Sequence, residues 1–206
     1  MRNLLMKLAH AIGQIVTAPM LILFLLSKNK KVIILDVRRW VNILNINSSM
    51  PDWINLLYLL CIHEEFRNVY YYRIKEGGAI GFVLTQIFRI VYKPCPSLFI
   101  SANHIGSGLF IQHGFSTIIA AESIGENCWI NQQVTVGYTT HGRPTIGNNV
   151  AISAGAKVVG KITIDDNVIV GANAVVVKNV PKNCVVVGVP AYIVKRDGIK
   201  VKEKLI

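Results

Sequence analysis

The stretch IGNNVAISAGAKVVGKITIDDNVIVGANAVV at residues 146–176 decides the fold. Its aliphatic residues Ile146, Ile152, Val158, Ile164, Val170 and Val176 return every six positions. A helix would bring them round every 3.6 residues and a half-buried strand every two, so the stretch is neither. A six-residue period is a repeat signature: each unit is one short strand and turn that cannot bury its apolar face alone and must stack on its neighbours. Upstream the same step runs through Ile105, Ile111, Ile124, Ile130 and Val136. One extra residue separates Ile111 from Ile124, and four extra separate Val136 from Ile146. Four residues after these positions come further small or apolar side chains, as at Cys128, Val134, Val150, Ala156, Ile162, Val168, Ala174 and Val180. Stacking would align like residues into ladders around a narrow core.

Gly106, Gly125, Gly137, Gly147 and Gly171 directly follow their aliphatic residues, with Asn131 and Asp165 in other copies. These types tolerate tight corners and positive φ, so the turns are expected there. Three strands and three corners per coil give a triangular prism with about 18 residues per coil. The units make about four coils, or five if Phe99 to Asn103 opens the stack.

Residues 1–96 read differently, as a helical region. Pro51 and Asp52 after Ser48 and Ser49 make a helix start, since proline near the first turn lacks an N–H that would be unpaired anyway. From there Trp53, Leu56, Leu57, Leu60 and Cys61 recur at helical spacing, and the helix continues past Glu64 toward Tyr72. Gly77 and Gly78 stop it, Ala79 begins another, and Pro94 and Pro96 close the helical part. The expected organisation is α+β: a helical region at 1–96, a β-helix at 97–194 and a basic tail at 195–206.

With 206 residues, 52% of them hydrophobic, the chain buries a real core and is not disordered. Its four cysteines are scattered without metal or redox spacing, which fits a reduced, cytoplasmic protein. The formal net charge of +11 is uneven: residues 1–97 carry twelve Lys or Arg against five acids, and the last twelve residues carry five against two. No recognition motif or run of bases interleaved with aromatics accompanies that charge, so nucleic acid is not the expected partner. Ile15 to Leu26 is apolar but interrupted by Pro19 and followed by Lys28, Lys30 and Lys31. It is shorter than the roughly 20 residues needed to span a bilayer. It reads as a helix lying at the inner face of a membrane or packed against protein.

Chemistry is expected where the repeat breaks, because a regular coil has no reason to vary. The first break holds Gln112, His113 and Gly114, the second the loop from Tyr138 through Thr139, His141 and Arg143 to Pro144. A neutral imidazole near pH 7 suits proton abstraction from an alcohol. His113, inside the first break, is the candidate general base.

GLFIQHG at 108–114 resembles the segment of serine acetyltransferases that carries their catalytic histidine. VTVG at 134–137, ISAGAKVVGKITI at 152–164 and VVGVPAYIVKR at 186–196 resemble successive parts of their acetyl-CoA site, and EFRNVYYYRI at 65–74 resembles the helical segment before the coils. The resemblance is to the hexapeptide-repeat acetyltransferases, among them serine and polysaccharide O-acetyltransferases. It implies a left-handed parallel β-helix, a homotrimer, and acetyl-CoA as co-substrate in the groove between prisms. It assigns cofactor contacts to Gly137, Ser153, Ala154, Gly155, Ala172, Lys195 and Arg196. Acceptor contacts fall to Gln112, Tyr138, Thr139, His141 and Arg143, and no metal is implied.

Some family determinants are missing. Where serine acetyltransferases place an Asp before the histidine and another about fifteen residues upstream, this chain has Gln112 and Leu98. The Arg-His pair that helps hold the serine carboxylate becomes Gly142 and Arg143. On these grounds the expected acceptor is a sugar hydroxyl of a surface-polysaccharide precursor, with L-serine as the alternative. Two weaker classes remain: a zinc enzyme like the γ-class carbonic anhydrases, although the spacing of His104, His113 and His141 does not match that family, and a non-catalytic scaffold.

Overall fold

The computed structural model describes residues 12–46 and 49–205. The chain divides into two compact units, Met1–Cys95 and Pro96–Ile206.

The first unit is helical. Its principal helices are α1 (Met20–Leu26), α2 (Lys30–Ile43), α3 (Asp52–Ile62), α4 (Glu64–Lys75) and α5 (Ala79–Val91). Trp40 of α2, Leu56, Leu59 and Leu60 of α3, and Phe66 and Tyr70 of α4 are each at most 1% exposed and form its core. Burial of each of these leucines and of Phe66 stabilises by about 1.5–3 kcal/mol. Pro51 is extended and lies just before α3, as the sequence implied. The long helix expected from there to Gly77 is instead two. His63 is extended (φ −108°, ψ 102°) and serves as C-cap of α3 and N-cap of α4. An apolar spacing on both sides cannot reveal a one-residue break. Within this core the guanidinium of Arg73 donates to the Asp36 carboxylate at 2.9 and 3.3 Å. The start at Ser48 lies outside the described residues.

The second unit is a parallel β-helix of five coils built from three sheets. Sheet A stacks β1 (Leu98–Ile100), β4 (Thr117–Ile119), β7 (Thr135–Gly137), β10 (Lys157–Val159) and β13 (Val175–Val176). Sheet B stacks β2 (His104–Ile105), β5 (Ser123–Ile124), β8 (Thr145–Ile146) and β11 (Thr163–Ile164). Sheet C stacks β3 (Phe110–Ile111), β6 (Trp129–Ile130), β9 (Ala151–Ile152), β12 (Ile169–Val170) and β14 (Cys184–Val187). The ladders are in register: Ile105, Ile124, Ile146 and Ile164 pair in turn in sheet B, and Ile111, Ile130, Ile152, Val170 and Val186 in sheet C. All are at most 2% exposed.

Three details differ from the sequence reading. Ile119, fully buried and paired with Val136, is the sheet A rung of the second coil. The single extra residue is therefore the net of two added between Ile111 and Ile119 and one removed before Ile124. Val180 bridges to Ile164, so it is a sheet B rung and the fifth coil is short. The corner glycines are not where φ turns positive. That conformation falls at Asn127, Asn149, Asn167 and Asn183, with φ between 55° and 59°. Asn149, Asn167 and Asn183 hydrogen-bond in a column ending on Asp197. Gly106, Gly125 and Gly147 are required for another reason: a Cβ on Gly125 would lie 2.6 Å from backbone atoms of Gly147, and one on Gly106 2.8 Å from Gly125. Coils touch through their backbones there.

The segment from Lys195 is not a tail. β15 (Tyr192–Arg196) pairs antiparallel with β14, and β16 (Ile199–Lys204) pairs antiparallel with β15, extending sheet C. From the sequence, Lys200, Lys202 and Lys204 read as part of a basic tail. They are the outward residues of an edge strand, where charge guards against further pairing.

Candidate active site

Both breaks in the repeat are loops at prism edges, and they lie on different edges. The first, at residues 112–116, connects β3 of sheet C to β4 of sheet A. His113 is exposed there and adopts φ 52°, in the left-handed region that few non-glycine residues enter. Ser116 does the same at φ 52°. The insertion thus turns the chain twice and sets His113 out from the coil; such backbone clusters at functional sites. Gln112 is anchored at both ends of the residue: its N–H donates to Ile130 O at 2.9 Å, and its Oε1 accepts from Trp129 Nε1 at 3.2 Å.

Higher on this same edge, at the turns from sheet C to sheet A, come Ser153, Ala154 and Gly155 in the third coil and Ala172 in the fourth. Asn173 N donates to Ala154 O at 2.9 Å, which stacks those turns directly. Gly155 has φ 74°, in the left-handed region. Coils rise about 4.8 Å each, so Ala154 lies roughly 10 Å along the edge from His113 and Ala172 one coil further. The structure therefore brings His113, Gln112, Ser153, Ala154, Gly155 and Ala172 onto one edge with a strip of small side chains.

The second loop occupies the edge between sheets A and B. Gly137 ends β7, and the loop closes on itself through reciprocal Thr139–Gly142 backbone hydrogen bonds at 3.1 Å. Tyr138, Thr139 and His141 are exposed. Arg143 donates to Ser101 O at 2.7 Å and to Asn103 Oδ1 at 3.3 Å, with its guanidinium 5.3 Å from the Tyr138 ring centroid. It straps the loop of the third coil to the first. Lys195 and Arg196 fall on neither edge. Arg196 pairs with Cys184 at the start of β14, on the edge between sheets B and C, and donates to Glu203. Those two cations are held by the terminal hairpin, away from the His113 edge.

His104 is a strand residue of sheet B, so the three histidines weighed for zinc stand in a sheet and on two different edges. Among the described residues no three His, Cys, Asp or Glu groups cluster to hold a metal ion. Two features escaped the sequence reading. Gln132, on the His113 edge one coil above it, has a buried Oε1 with no partner among the described residues. At the end of the last coil a pocket of about 480 Å³ is lined by Val177, Pro190, Tyr192 and Leu205 together with Lys178, Lys202 and Lys204. Neither carries a motif, because both arise from stacking rather than local spacing.

The family of bacterial transferase hexapeptide (six repeats) matches residues 143–178. Serine acetyltransferase from Staphylococcus aureus is 50% identical over 102 residues, 47% of this chain and 48% of that protein. The chain thus spans less than half the length of the curated relatives it matches. Serine acetyltransferase from Neisseria gonorrhoeae in complex with serine has a TM-score of 0.60 at 26% identity, covering 81% of this chain and 69% of that one. The Brucella abortus enzyme in complex with coenzyme A has a TM-score of 0.57 at 25% identity, covering 83% and 69%. The chain carries hexapeptide repeats in the coils that follow its helical unit, and it resembles the serine acetyltransferases in sequence and in fold.

Proposed function

We propose that the chain is an acetyltransferase that moves the acetyl group of acetyl-CoA to a hydroxyl, with L-serine as acceptor and His113 as general base. The observation that carries it is the single edge holding His113, in a strained insertion, below the small-residue strip of Ala154 and Ala172. A pantetheine arm laid along that strip would bring the thioester toward His113 from above. His113 takes the hydroxyl proton, the oxygen attacks the thioester carbon, and collapse of the tetrahedral intermediate releases CoA thiolate. General base catalysis supplies roughly 10²–10⁴-fold, and alignment of the two substrates adds to it.

The preference for serine over a sugar reverses the expectation from the sequence. The relatives and solved structures named above are serine acetyltransferases, one bound to serine. A sugar acceptor keeps one specific observation in its favour: the neutral amide of Gln112, held by Trp129, beside His113.

The active assembly in this reading is a homotrimer. His113 and the Tyr138–Arg143 loop lie on different edges of one prism, and a neighbouring copy would set its loop against this chain's His113. Four cysteines in the thiol form and acetyl-CoA as donor fit a cytoplasmic reaction. Release of CoA measured with L-serine and a panel of sugars tests the proposal. Turnover with serine that disappears in His113→Ala supports it; no CoA release with any hydroxyl compound refutes it.

A further inference from the structure

Helix α5 is inside out. Its polar Thr85 is 2% exposed, while Ile80, Val83, Ile87 and Ile90 are 76, 55, 55 and 73% exposed. Steps of three, four and three residues put those four side chains on one stripe, with Thr85 on the opposite side. The neighbouring helix α1 adds Leu25, 63% exposed, and a groove between the two is lined by residues of both, Leu26 and Ile80 among them. Tyr92, just after α5, donates its hydroxyl to Val16 O at 2.9 Å, so the two apolar segments run side by side. A water-facing protein rarely leaves so continuous an apolar surface without an occupant.

The charges say which occupant. No acid occurs in residues 12–26 or 79–91. Lys28 lines the groove at the start of α5, Lys75 stands with its ammonium 5.4 Å from the Phe82 ring centroid, and Lys93 follows the helix end. All three lysines are exposed. Among the five acids of this unit, Asp36 is buried against Arg73 and Asp52 is paired with Arg38. Two such faces meeting each other would oppose cations with cations; a lipid surface of negative charge would not. No helix among the described residues is long and apolar enough to cross a membrane.

We propose that α5, with α1 beside it, is a docking surface for an anionic lipid bilayer, on which the apolar stripe sinks into the interface and the lysines meet lipid phosphates. This is the geometry of a helix lying in the membrane plane, with long basic side chains reaching up to the headgroups. It differs from an N-terminal contact alone, because the main stripe lies 60 residues further along the chain. The proposal stands independently of the acetyl transfer reaction.

The experiment is sedimentation of the full chain with vesicles of phosphatidylcholine alone or mixed with phosphatidylglycerol. The chain should sediment with the mixed vesicles at least tenfold more strongly than with the neutral ones, and added salt should weaken that binding. The double variant Ile87→Glu, Ile90→Glu should lose it by at least tenfold while its thermal midpoint and its coil-borne activity stay unchanged. Since both positions face water, the substitution does not load the core. Equal binding to both vesicle types, no binding at all, or binding unaffected by the double variant would overturn the proposal. So would a variant that only dissociates an oligomer, since that assigns the stripe to a second copy.

Discussion

Trp129 donates its indole N–H to the side-chain oxygen of Gln112 at 3.2 Å, one residue before His113. Phe110 packs edge-on against the same indole, ring centroids 4.9 Å apart, so Trp129 is itself held. With its oxygen occupied, Gln112 has its NH₂ group to offer another partner. A carboxylate at this position would accept from an acceptor molecule; this amide donates to it. Gln112→Ala should raise KM for the acceptor about tenfold, the scale of one lost hydrogen bond, with kcat less affected. Trp129→Phe keeps the ring and removes the N–H, so its effect should be smaller and in the same direction. Steady-state kinetics on both variants check this, and an unchanged KM in both would remove Gln112 from the acceptor site.

His113→Ala should lower kcat by roughly 10²-fold or more while the fold and acetyl-CoA affinity persist. The exposed side chain fills no core space, so loss of stability is not expected. The φ of 52° makes His113→Gly a useful companion: it removes the imidazole and relaxes the backbone at once. If His113→Gly is inactive yet melts no lower than the parent, the left-handed backbone is serving the imidazole rather than the coil. Near-native turnover in either folded variant would end its role as base.

Ala154 and Ala172 offer a test of the cofactor edge. Ala172 is exposed and Ala154 half-buried, whereas Ala156 and Ala174, two residues on, are fully buried in the core. Ala172→Trp should therefore raise KM for acetyl-CoA about tenfold or more with little change in melting temperature. Ala174→Trp should unfold the coil by overpacking, at a cost of at least about 1–3 kcal/mol. The two outcomes exchanged would mean that the edge and the core have been assigned the wrong way round.

Much of this was legible in the sequence. The six-residue step located the rungs from Ile146 to Val176 because every apolar ladder imposes the same side-chain requirement at the same place in each coil. Glycine at 106, 125 and 147 was visible, but its cause was not: close approach between coils leaves the same letter as a positive φ. Gly125→Ala separates the two. It should destabilise by about 1–3 kcal/mol, since its Cβ would meet Gly147 backbone at 2.6 Å. Gly137→Ala, whose Cβ would meet only Thr135 Cγ2 at 3.4 Å and Val159 Cγ2 at 4.0 Å, ordinary van der Waals contacts, should melt close to the parent. Equal effects in calorimetry would return both to a conformational explanation. Contacts made across many residues, such as Trp129 to Gln112 or Arg143 to Ser101, leave no periodic trace. The terminal hairpin hid for the same reason, its lysines alternating as they would in a solvated tail.

The loop Tyr138–Arg143 carries the sharpest remaining question. Arg143 is the cation expected to hold a serine carboxylate, yet it donates to Ser101 O at 2.7 Å and to Asn103 Oδ1 at 3.3 Å. A guanidinium spent on the first coil holds the loop in place and reaches the acceptor through loop position. Arg143→Ala should then raise KM by the same factor for L-serine and for L-serinamide, which lacks the carboxylate. It should also make the loop easier to cleave by limited proteolysis, because its strap is gone. A direct carboxylate contact predicts otherwise: a charge-assisted hydrogen bond is worth about 1.5–3 kcal/mol, so the variant would lose roughly tenfold or more on serine and little on the amide. Kinetics on the two acceptors, with parent and variant side by side, decide between an anchor and a ligand.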